Sequence, residues 1–200
     1  MQIRRVNFYG GPGLGKTTTA SHIFARLKNT IIHNNLPTQI ELVQEYVKNW
    51  AWEGRKPKGF DQVYICAQQM RKEEIPLRNG VDVVVTDSPL LMQCAYARKY
   101  GNSYWEALTE CVRHFEQAYP SIHILLDRGD RPYVAKGRYE SHEQAKDMDA
   151  YIKDGITLNP SDKDSVMQCV RNWIVELGEL DATFRKSDIA SLKSFINIIS

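Results

Sequence analysis

The chain has 200 residues, of which 42% are hydrophobic and 25% are charged, and its formal net charge is +2. This length and composition predict one domain with a substantial core. The net charge is too small to indicate nucleic-acid binding by itself, so a site for a polyanion requires local clustering of basic residues. The four cysteines form no C-x-x-C pair, which disfavours a zinc site or a disulfide framework. No apolar run reaches the roughly 18 residues of a membrane span, and we expect a cytoplasmic protein without a membrane partner.

Short strands alternate with amphipathic helices along the first two thirds of the chain. The aliphatic run at 81–86 is the strongest strand, because a near-continuous apolar segment is typical of a central parallel strand buried on both faces. Apolar residues at helical spacing indicate the helices. The predicted order is strand 3–9, helix 17–29, strand 38–43, helix 61–74, strand 81–86, helix 103–118 and strand 122–126.

The last third of the chain begins with a polar, arginine-rich loop, which we expect to form a lid over about 127–141. A helix over 141–153, a short strand over 156–158 and a helix over 162–178 are predicted to follow it. One more amphipathic helix is predicted at the C-terminus, over about 181–198. No repeat, low-complexity segment or linker interrupts the chain, so residues 1–200 are predicted to form a single domain.

Strands alternating with helices predict right-handed βαβ units. The expected fold is therefore a three-layer α/β structure, with a five-stranded parallel sheet flanked by helices. In such folds ligands bind at the carboxyl ends of the strands. Gly10, Glu45, Asp87 and Asp127 each fall just past a predicted strand, which predicts a site at that edge of the sheet.

The segment 10–17 matches the complete phosphate-binding pattern G-x-x-x-x-G-K-[ST], between a predicted strand and a predicted helix. The glycines let the backbone curl so that its N–H groups point at phosphate oxygens, and the helix N-terminus adds its dipole. Lys16 is predicted to reach the β- and γ-phosphates, and the Thr17 hydroxyl to bind Mg²⁺. The sequence thus predicts ATP and Mg²⁺, with a nucleotide site formed by Gly10, Gly11, Gly13, Leu14, Gly15, Lys16, Thr17 and Thr18.

Two acidic residues are predicted to work beside the phosphate loop. Asp87 closes the strand 81–86, the usual place for the acidic residue that holds Mg²⁺ or its water shell, so Thr17 and Asp87 are the metal candidates. Glu45 follows the strand 38–43 and is expected to face the γ-phosphate, where an acceptor hydroxyl needs a base. Glu41 competes for this role but lies inside the strand. Together with Lys16, Glu45 and Asp87 are predicted to be catalytic.

The loop after the strand 122–126 is expected to close over a bound triphosphate. Glycine and proline shape it, and its arginines can neutralise the charge that develops on a transferred phosphoryl group. We predict the transition-state contact for Arg138 and Arg131 first, and for Arg128 next.

The helix at 61–74 is the predicted wall for a phosphate acceptor. Gln69 and Arg71, or Gln68, are placed there to hydrogen-bond a base or amide of an acceptor that lies along the cleft.

These pieces resemble the P-loop nucleoside and nucleotide kinases, and most closely the NadR-type (ribosylnicotinamide-kinase-like) family, over roughly residues 3–180. The matching parts are the phosphate loop, Glu45-Tyr46-Val47, Thr86-Asp87 and the lid that ends at Gly137-Arg138. The stretch Glu45-x-x-x-x-Trp50 also resembles the Glu-Pro-x-x-x-Trp segment of deoxynucleoside kinases, although their acidic-Arg-Ser triplet is absent. The resemblance implies an ATP- and Mg²⁺-dependent kinase with Glu45 near the acceptor hydroxyl and Tyr46 and Trp50 beside the acceptor.

The nature of the acceptor stays open at this stage. A small nucleoside- or nucleotide-like molecule is the first expectation, and the oligomeric state is open, with a homodimer compatible. The alternative is a phage-type kinase of the host cytoplasm that phosphorylates a flipped-out hydroxymethylated pyrimidine, 5-hydroxymethyluracil, within DNA. A P-loop ATPase without an acceptor is a lesser alternative, and a GTPase is disfavoured because no Asn-Lys-x-Asp segment occurs. Backbone contacts and base stacking with DNA are assigned to Lys48, Trp50, Trp52, Arg55, Lys56 and Lys58.

Overall fold

The computed structural model describes residues 4–126, 128 and 132–155. Within these residues, four strands and six helices alternate along the chain. The strands are β1 (Arg5–Tyr9), β2 (Ile40–Val43), β3 (Val83–Thr86) and β4 (Ser121–Leu125). The helices are α1 (Lys16–His33), α2 (Lys48–Trp52), α3 (Asp61–Arg78), α4 (Leu90–Lys99), α5 (Trp105–Ala118) and α6 (His142–Gly155). None of these helices is long and apolar enough to cross a membrane.

All four strands are parallel, and their order in the sheet is β2-β3-β1-β4. Neighbouring parallel strands need crossover connections, which the helices between them provide. The predicted α/β fold with a parallel sheet flanked by helices is confirmed. The described residues contain four strands of the five predicted, because the strand predicted over 156–158 lies outside them. The helices predicted over 162–178 and about 181–198 also lie outside the described residues.

The two faces of the sheet carry separate apolar cores. On one face, Ala20, Ile23 and Leu27 of α1 pack against strand residues such as Val6 and Val85. On the other face, buried residues of α3, α4, α5 and α6 pack together with the strands β1, β2 and β3. Helices on both faces explain why β1 and β3 are buried along their whole length.

The helices α2 and α4 were not predicted. The sequence of α4 is buried nearly all round, from Leu90 to Cys94, so it shows no alternation between an apolar and a polar face. Only five residues form α2, which is too short for a helical period to be recognised.

The strand β1 is polar but buried because its charge is paired. The Arg5 guanidinium lies 2.9 Å from a Glu73 carboxylate oxygen and 2.6 Å from one of Glu116. It also lies over the Phe115 ring, 4.8 Å from the ring centroid. Breaking a buried ion pair of this kind leaves an uncompensated charge, so this group ties β1 firmly to α3 and α5.

Strand register brings two predicted site residues together. Val43, the last residue of β2, pairs with Thr86, the last residue of β3. The residues that follow these two strands, which include Glu45 and Asp87, therefore lie at the same edge of the sheet. The loop after β1 begins at that edge as well, since β1 lies next to β3 and runs parallel to it.

Candidate active site

The phosphate loop between β1 and α1 has the backbone conformation that phosphate binding requires. Gly13 has a φ of 78° and Gly15 a φ of 88°, in the left-handed region that glycine adopts without strain. Helix α1 begins at Lys16, and its first-turn N–H groups have no carbonyl partner within the helix. These N–H groups and the positive end of the helix dipole form a site for an anion.

Lys16 folds back over this loop. Its Nζ donates hydrogen bonds to the carbonyl oxygens of Gly10, at 2.7 Å, and Gly11, at 3.0 Å. Burial lowers the pKa of Lys16, and the nearby carboxylates of Glu45 and Asp87 oppose that shift. An ammonium group in this setting gains from a bound polyphosphate, which would replace the two carbonyl contacts with full negative charges.

A cavity of about 630 Å³ opens in front of the loop. Residues 12–18 form one wall, so the predicted nucleotide residues Gly13, Leu14, Gly15, Lys16, Thr17 and Thr18 all lie in it. Glu45, Asp87 and Arg138, which were predicted to be catalytic, line the same cavity. The structure therefore brings together the phosphate loop, two carboxylates and one lid arginine.

Glu45 and Asp87 are joined directly. The backbone N–H of Glu45 donates a 2.9 Å hydrogen bond to the Asp87 carboxylate. The Asp87 side chain is buried, while Glu45 is partly accessible from the cavity. Burial raises the pKa of Glu45, and the positive charge of Lys16 opposes this shift while Asp87 adds to it. A carboxylate with a raised pKa is a stronger base than an ordinary glutamate.

A site for Mg²⁺ fits the residues present. The Thr17 hydroxyl and the Asp87 carboxylate line one cavity, and both are oxygen donors of the kind that Mg²⁺ binds. A Mg²⁺ ion usually takes one or two protein oxygens and completes its shell with water and phosphate oxygens, which is what this pair would leave room for.

The tip of the lid lies on the phosphate loop. A Cβ atom at Gly13 would lie 2.8 Å from the Tyr133 ring, so this ring and the glycine backbone are in direct contact. Arg138 is exposed to the cavity side, and its Nε donates a 2.7 Å hydrogen bond to the Val134 carbonyl oxygen. The hydroxyl of Tyr139, which lines the cavity, donates to the carbonyl oxygen of Arg55 at 2.6 Å.

The base of the lid is bonded to the phosphate loop and to α6. Arg128 does not line the cavity and is only 7% exposed. Its Nε donates to the Asp149 carboxylate at 2.5 Å, and its terminal nitrogen donates to the Pro12 carbonyl oxygen at 2.9 Å. Its Nε and one terminal nitrogen thus hold the phosphate loop and α6 together, and its transition-state contact stays a prediction.

Asp149 of α6 completes this clamp. Its other carboxylate oxygen accepts a 2.6 Å hydrogen bond from the N–H of Gly11. A Cβ at Gly11 would lie 2.6 Å from the Ala145 carbonyl oxygen, so only glycine lets α6 approach the loop this closely. Gly11 therefore faces α6 and does not line the cavity. Gly10, with a φ of 142° and its Cα beside the Leu14 side chain, shapes the turn. Sequence reasoning missed Asp149, which no motif marks.

Polar and aromatic side chains from α3, α4 and the loop after α4 also line the cavity. Gln62 donates a 2.5 Å hydrogen bond to Gln93, which in turn donates to the Ser88 hydroxyl at 3.2 Å. Because an acceptor was predicted to lie along α3, we call this set of cavity residues the acceptor wall. Its members are Gln62, Ile65, Gln93, Tyr96, Tyr100 and Asn102.

A third carboxylate also faces the cavity and was missed by sequence reasoning. Glu140 lies where the lid meets α6, and burial raises its pKa. The Tyr100 hydroxyl donates to it at 3.4 Å, and the Tyr133 hydroxyl donates to its backbone carbonyl oxygen at 2.5 Å. These contacts tie the end of the lid to the acceptor wall.

The four residues predicted to touch the acceptor do not line the cavity. Gln69 is fully buried beneath it, and both atoms of its amide are engaged inside the protein. Trp50 is 6% exposed, with the Arg55 guanidinium 3.3 Å above its ring, so this ring is not exposed for stacking on a base. The Tyr46 hydroxyl donates to that of Tyr64, and Arg71 projects from the exposed side of α3.

The part of α3 that lines the cavity lies about two turns before the predicted glutamines, at Gln62 and Ile65. The sequence alone does not show which part of α3 lines the cavity, because both ends of this helix carry glutamine or arginine at helical spacing.

The predicted catalytic residue Arg131 lies outside the described residues.

Comparisons with known proteins agree with the phosphate site. A family model described as an AAA domain matches residues 5–159. A second model, described as a virulence-associated protein E-like domain, matches residues 144–198, of which the structure describes residues 144–155. No curated protein matches the chain. A solved structure titled "Crystal structure of APE1195" is 16% identical and covers 78% of this chain and 98% of its own, but its TM-score of 0.39 is too low to support an argument.

The AAA-domain match includes all four strands of the described sheet, the phosphate loop, Glu45 and Asp87. It also covers more than half of the chain. The chain therefore belongs to the AAA-domain family AAA_28 and is a P-loop nucleotide-binding protein.

Proposed function

We propose that this protein is an ATP- and Mg²⁺-dependent kinase that transfers the γ-phosphate of ATP to a hydroxyl group of a small nucleoside- or nucleotide-like acceptor. The observation that carries the proposal is the position of Glu45. Its carboxylate shares one cavity with Lys16 and the phosphate loop, and its backbone is fixed to Asp87. A base in that position is placed to meet the hydroxyl group that attacks the phosphate.

The proposed reaction uses these positions. The acceptor oxygen forms a bond to the γ-phosphorus while the bond from that phosphorus to the β–γ bridging oxygen breaks, and ADP leaves. Glu45 takes the proton from the hydroxyl group. Lys16 and Arg138 stabilise the charge on the phosphoryl oxygens. When bound at Thr17 and Asp87, Mg²⁺ would add a positive charge beside the β- and γ-phosphates.

The acceptor wall favours a kinase over a simple ATPase. Hydrolysis requires space for one water molecule beyond the γ-phosphate, whereas this cavity extends to Gln62, Gln93, Tyr96 and Tyr100. Amide groups and aromatic rings are the groups that orient a polar, ring-containing small molecule. The total of about 630 Å³ lies within the size range of small-molecule sites.

The test is a transfer assay with γ-labelled ATP and Mg²⁺. Free nucleosides, nucleotides, nicotinamide riboside and DNA containing 5-hydroxymethyluracil are offered in parallel, with Lys16→Ala as the inactive control. The proposal predicts label on at least one small acceptor. Label in inorganic phosphate alone, with every acceptor present, would contradict it and favour an ATPase.

A second candidate acceptor, a base within DNA, is favoured by one observation. Lys48, Lys56 and Lys58 line the cavity, while the rings of Trp52 and Phe60 nearby in the chain are 58% and 74% exposed. Basic groups that contact phosphates and rings that stack on bases are typical of surfaces for single-stranded nucleic acid.

The double variant Lys56→Ala/Lys58→Ala separates the two candidates. If the acceptor is a base within DNA, the variant should bind that DNA more weakly. The slope of the logarithm of its DNA-binding constant against the logarithm of the salt concentration should also become smaller, by roughly one unit for each lost phosphate contact. A small acceptor predicts little change in either quantity. Transfer to DNA alone in the labelled assay would establish the second candidate over the first.

A further inference from the structure

We propose that Gln69 is a positioning residue whose buried amide holds the segment of Glu45 and the strand end of Asp87 at a fixed separation. The inference rests on the proposed function, because it gives both carboxylates a role in phosphoryl transfer. Gln69 lies on α3, behind the carboxyl ends of β2 and β3, and has no exposed surface. It does not touch the cavity, so it acts through the residues that do.

The amide of Gln69 contacts both strand ends at once. Its oxygen accepts a 3.0 Å hydrogen bond from the backbone N–H of Tyr46, the residue that follows Glu45. Its nitrogen lies 3.4 Å from the Thr86 hydroxyl, the residue that precedes Asp87. The same nitrogen donates to the Glu73 carboxylate at 3.2 Å. One side chain thus bridges the two neighbours of the proposed base and of the metal-binding carboxylate.

This bridge closes a ring with a second, direct connection. The N–H of Glu45 donates to the Asp87 carboxylate at 2.9 Å. The Thr86 hydroxyl also accepts a 3.2 Å hydrogen bond from the N–H of Ser88, which fixes the backbone on the far side of Asp87. Two connections in parallel restrict rotation of the segments, where one alone would leave a hinge.

The orientation of the Gln69 amide is determined by its surroundings. An ionised carboxylate only accepts hydrogen bonds, so the NH₂ group of Gln69 must face Glu73. The amide oxygen is then directed at the N–H of Tyr46, which only donates. Glu73 is itself held by Arg5 at 2.9 Å, and Arg5 also contacts Glu116. The buried charges of β1 therefore set the direction in which Gln69 presents its oxygen.

The experiment compares Gln69→Leu with Gln117→Leu. Leucine is similar in size to glutamine but makes no hydrogen bond, and Gln117 is a glutamine on the exposed side of α5, outside the cavity. We expect Gln69→Leu to lower kcat by about 10- to 100-fold, the scale of a small misplacement of catalytic groups, with KM for ATP nearly unchanged. Hydrogen exchange of the Tyr46 amide, followed by NMR, should become faster in Gln69→Leu and stay the same in Gln117→Leu.

The hydrogen-exchange measurement makes the inference testable apart from the kinase proposal. If no acceptor takes up phosphate, the kinase proposal fails, while the exchange rate of the Tyr46 amide and the rate of ATP hydrolysis still test Gln69. An unchanged exchange rate at Tyr46, or a kcat equal to that of Gln117→Leu, would overturn the inference. So would a rise in KM for ATP as large as the fall in kcat.

A second variant covers the case in which Gln69→Leu does not fold. Gln69→Asn keeps an amide but shortens the side chain by one methylene, so it cannot reach Tyr46 and Thr86 together. We expect the same separation of kcat from KM for ATP in this variant. A wild-type kcat in folded Gln69→Asn would also overturn the inference.

Discussion

The two walls of the cavity are built in different ways. The donor wall is one continuous segment, residues 12–18, whose backbone presents N–H groups to phosphate. The acceptor wall consists of side chains from α3, α4 and the following loop, which are distant in sequence. Backbone recognition tolerates few changes because it depends on φ angles, as at Gly13 and Gly15. Side-chain recognition can be altered residue by residue, so variants of the two walls should fail in different ways.

Lys16→Ala is expected to have the largest effect, because it removes the one flexible positive charge of the donor wall. Activity should fall by about 10³-fold, the upper range for loss of a transition-state donor, and ATP should bind more weakly. Labelled transfer and ATP titration measure the two effects. Lys28→Ala is the matched control, since Lys28 lies on the same helix, does not line the cavity, and donates a hydrogen bond to the Ile40 carbonyl oxygen. Equal loss in both variants would show that the effect is not specific to the phosphate site.

Glu45→Gln is expected to separate transfer from ATP binding. It keeps the size and the backbone hydrogen bond to Asp87 but removes the base, so kcat should fall by at least about 10²-fold with the Kd for ATP nearly unchanged. Steady-state kinetics and ATP titration test this pair of results. Near wild-type turnover would exclude Glu45 as the base.

The pH profile tests the same residue. Glu45 accepts a proton only when it is ionised, and burial raises its pKa. The value of kcat/KM should therefore rise with pH, and this rising limb should lie at a higher pH than the pKa of an ordinary glutamate. The limb should be absent from the profile of Glu45→Gln. A profile that is flat from pH 4 upward in the wild type would contradict this assignment.

The donor wall could be predicted from the sequence because its information is local. Eight consecutive residues specify the loop, and its neighbours Glu45 and Asp87 follow from counting residues past two strands. The clamp of Arg128 and Asp149 could not be predicted, since an arginine beside a phosphate loop is equally compatible with a catalytic contact. Only the position of α6 shows that the guanidinium of Arg128 is bonded to Asp149 and to the phosphate loop.

The acceptor wall could not be predicted for a different reason. Gln62 and Gln69 lie two turns apart on one helix, and their order in the sequence does not show which one is covered by β2 and β3. The helix α4, which contributes Gln93 and Tyr96, is buried nearly all round and lacks the amphipathic pattern that marks a helix. Packing against the sheet, which joins distant segments, decides both cases.

Asp149→Asn is expected to weaken the donor wall from outside the cavity. The variant loses the charge in its bonds to Gly11 and Arg128, and hydrogen bonds to charged groups contribute about 1.5–3 kcal/mol. KM for ATP should rise by about 10-fold, with a smaller change in kcat. Gly11→Ala, which places a Cβ against the Ala145 carbonyl oxygen, should act in the same direction.

Asp147→Asn is the matched control for the clamp, because Asp147 is exposed on the same helix. Kinetics at varied ATP concentration measure the effect in all three variants. If KM for ATP in Asp149→Asn equals that of the control, the contact of α6 with the loop has no part in nucleotide binding.

Gln62→Leu is expected to have the smallest effect, and to be confined to the acceptor. Gln62 reaches Gln93 at 2.5 Å through its nitrogen, and its oxygen has no partner among the described residues, so it is available to a donor group of the acceptor. Loss of one neutral hydrogen bond, at about 0.5–1.5 kcal/mol, should raise KM for the acceptor by about 2- to 10-fold. KM for ATP should not change, and Gln117→Leu, on the exposed side of α5, should change neither value. A rise in KM for ATP instead would mean that Gln62 contacts the nucleotide, and that the wall assigned to the acceptor belongs to the donor.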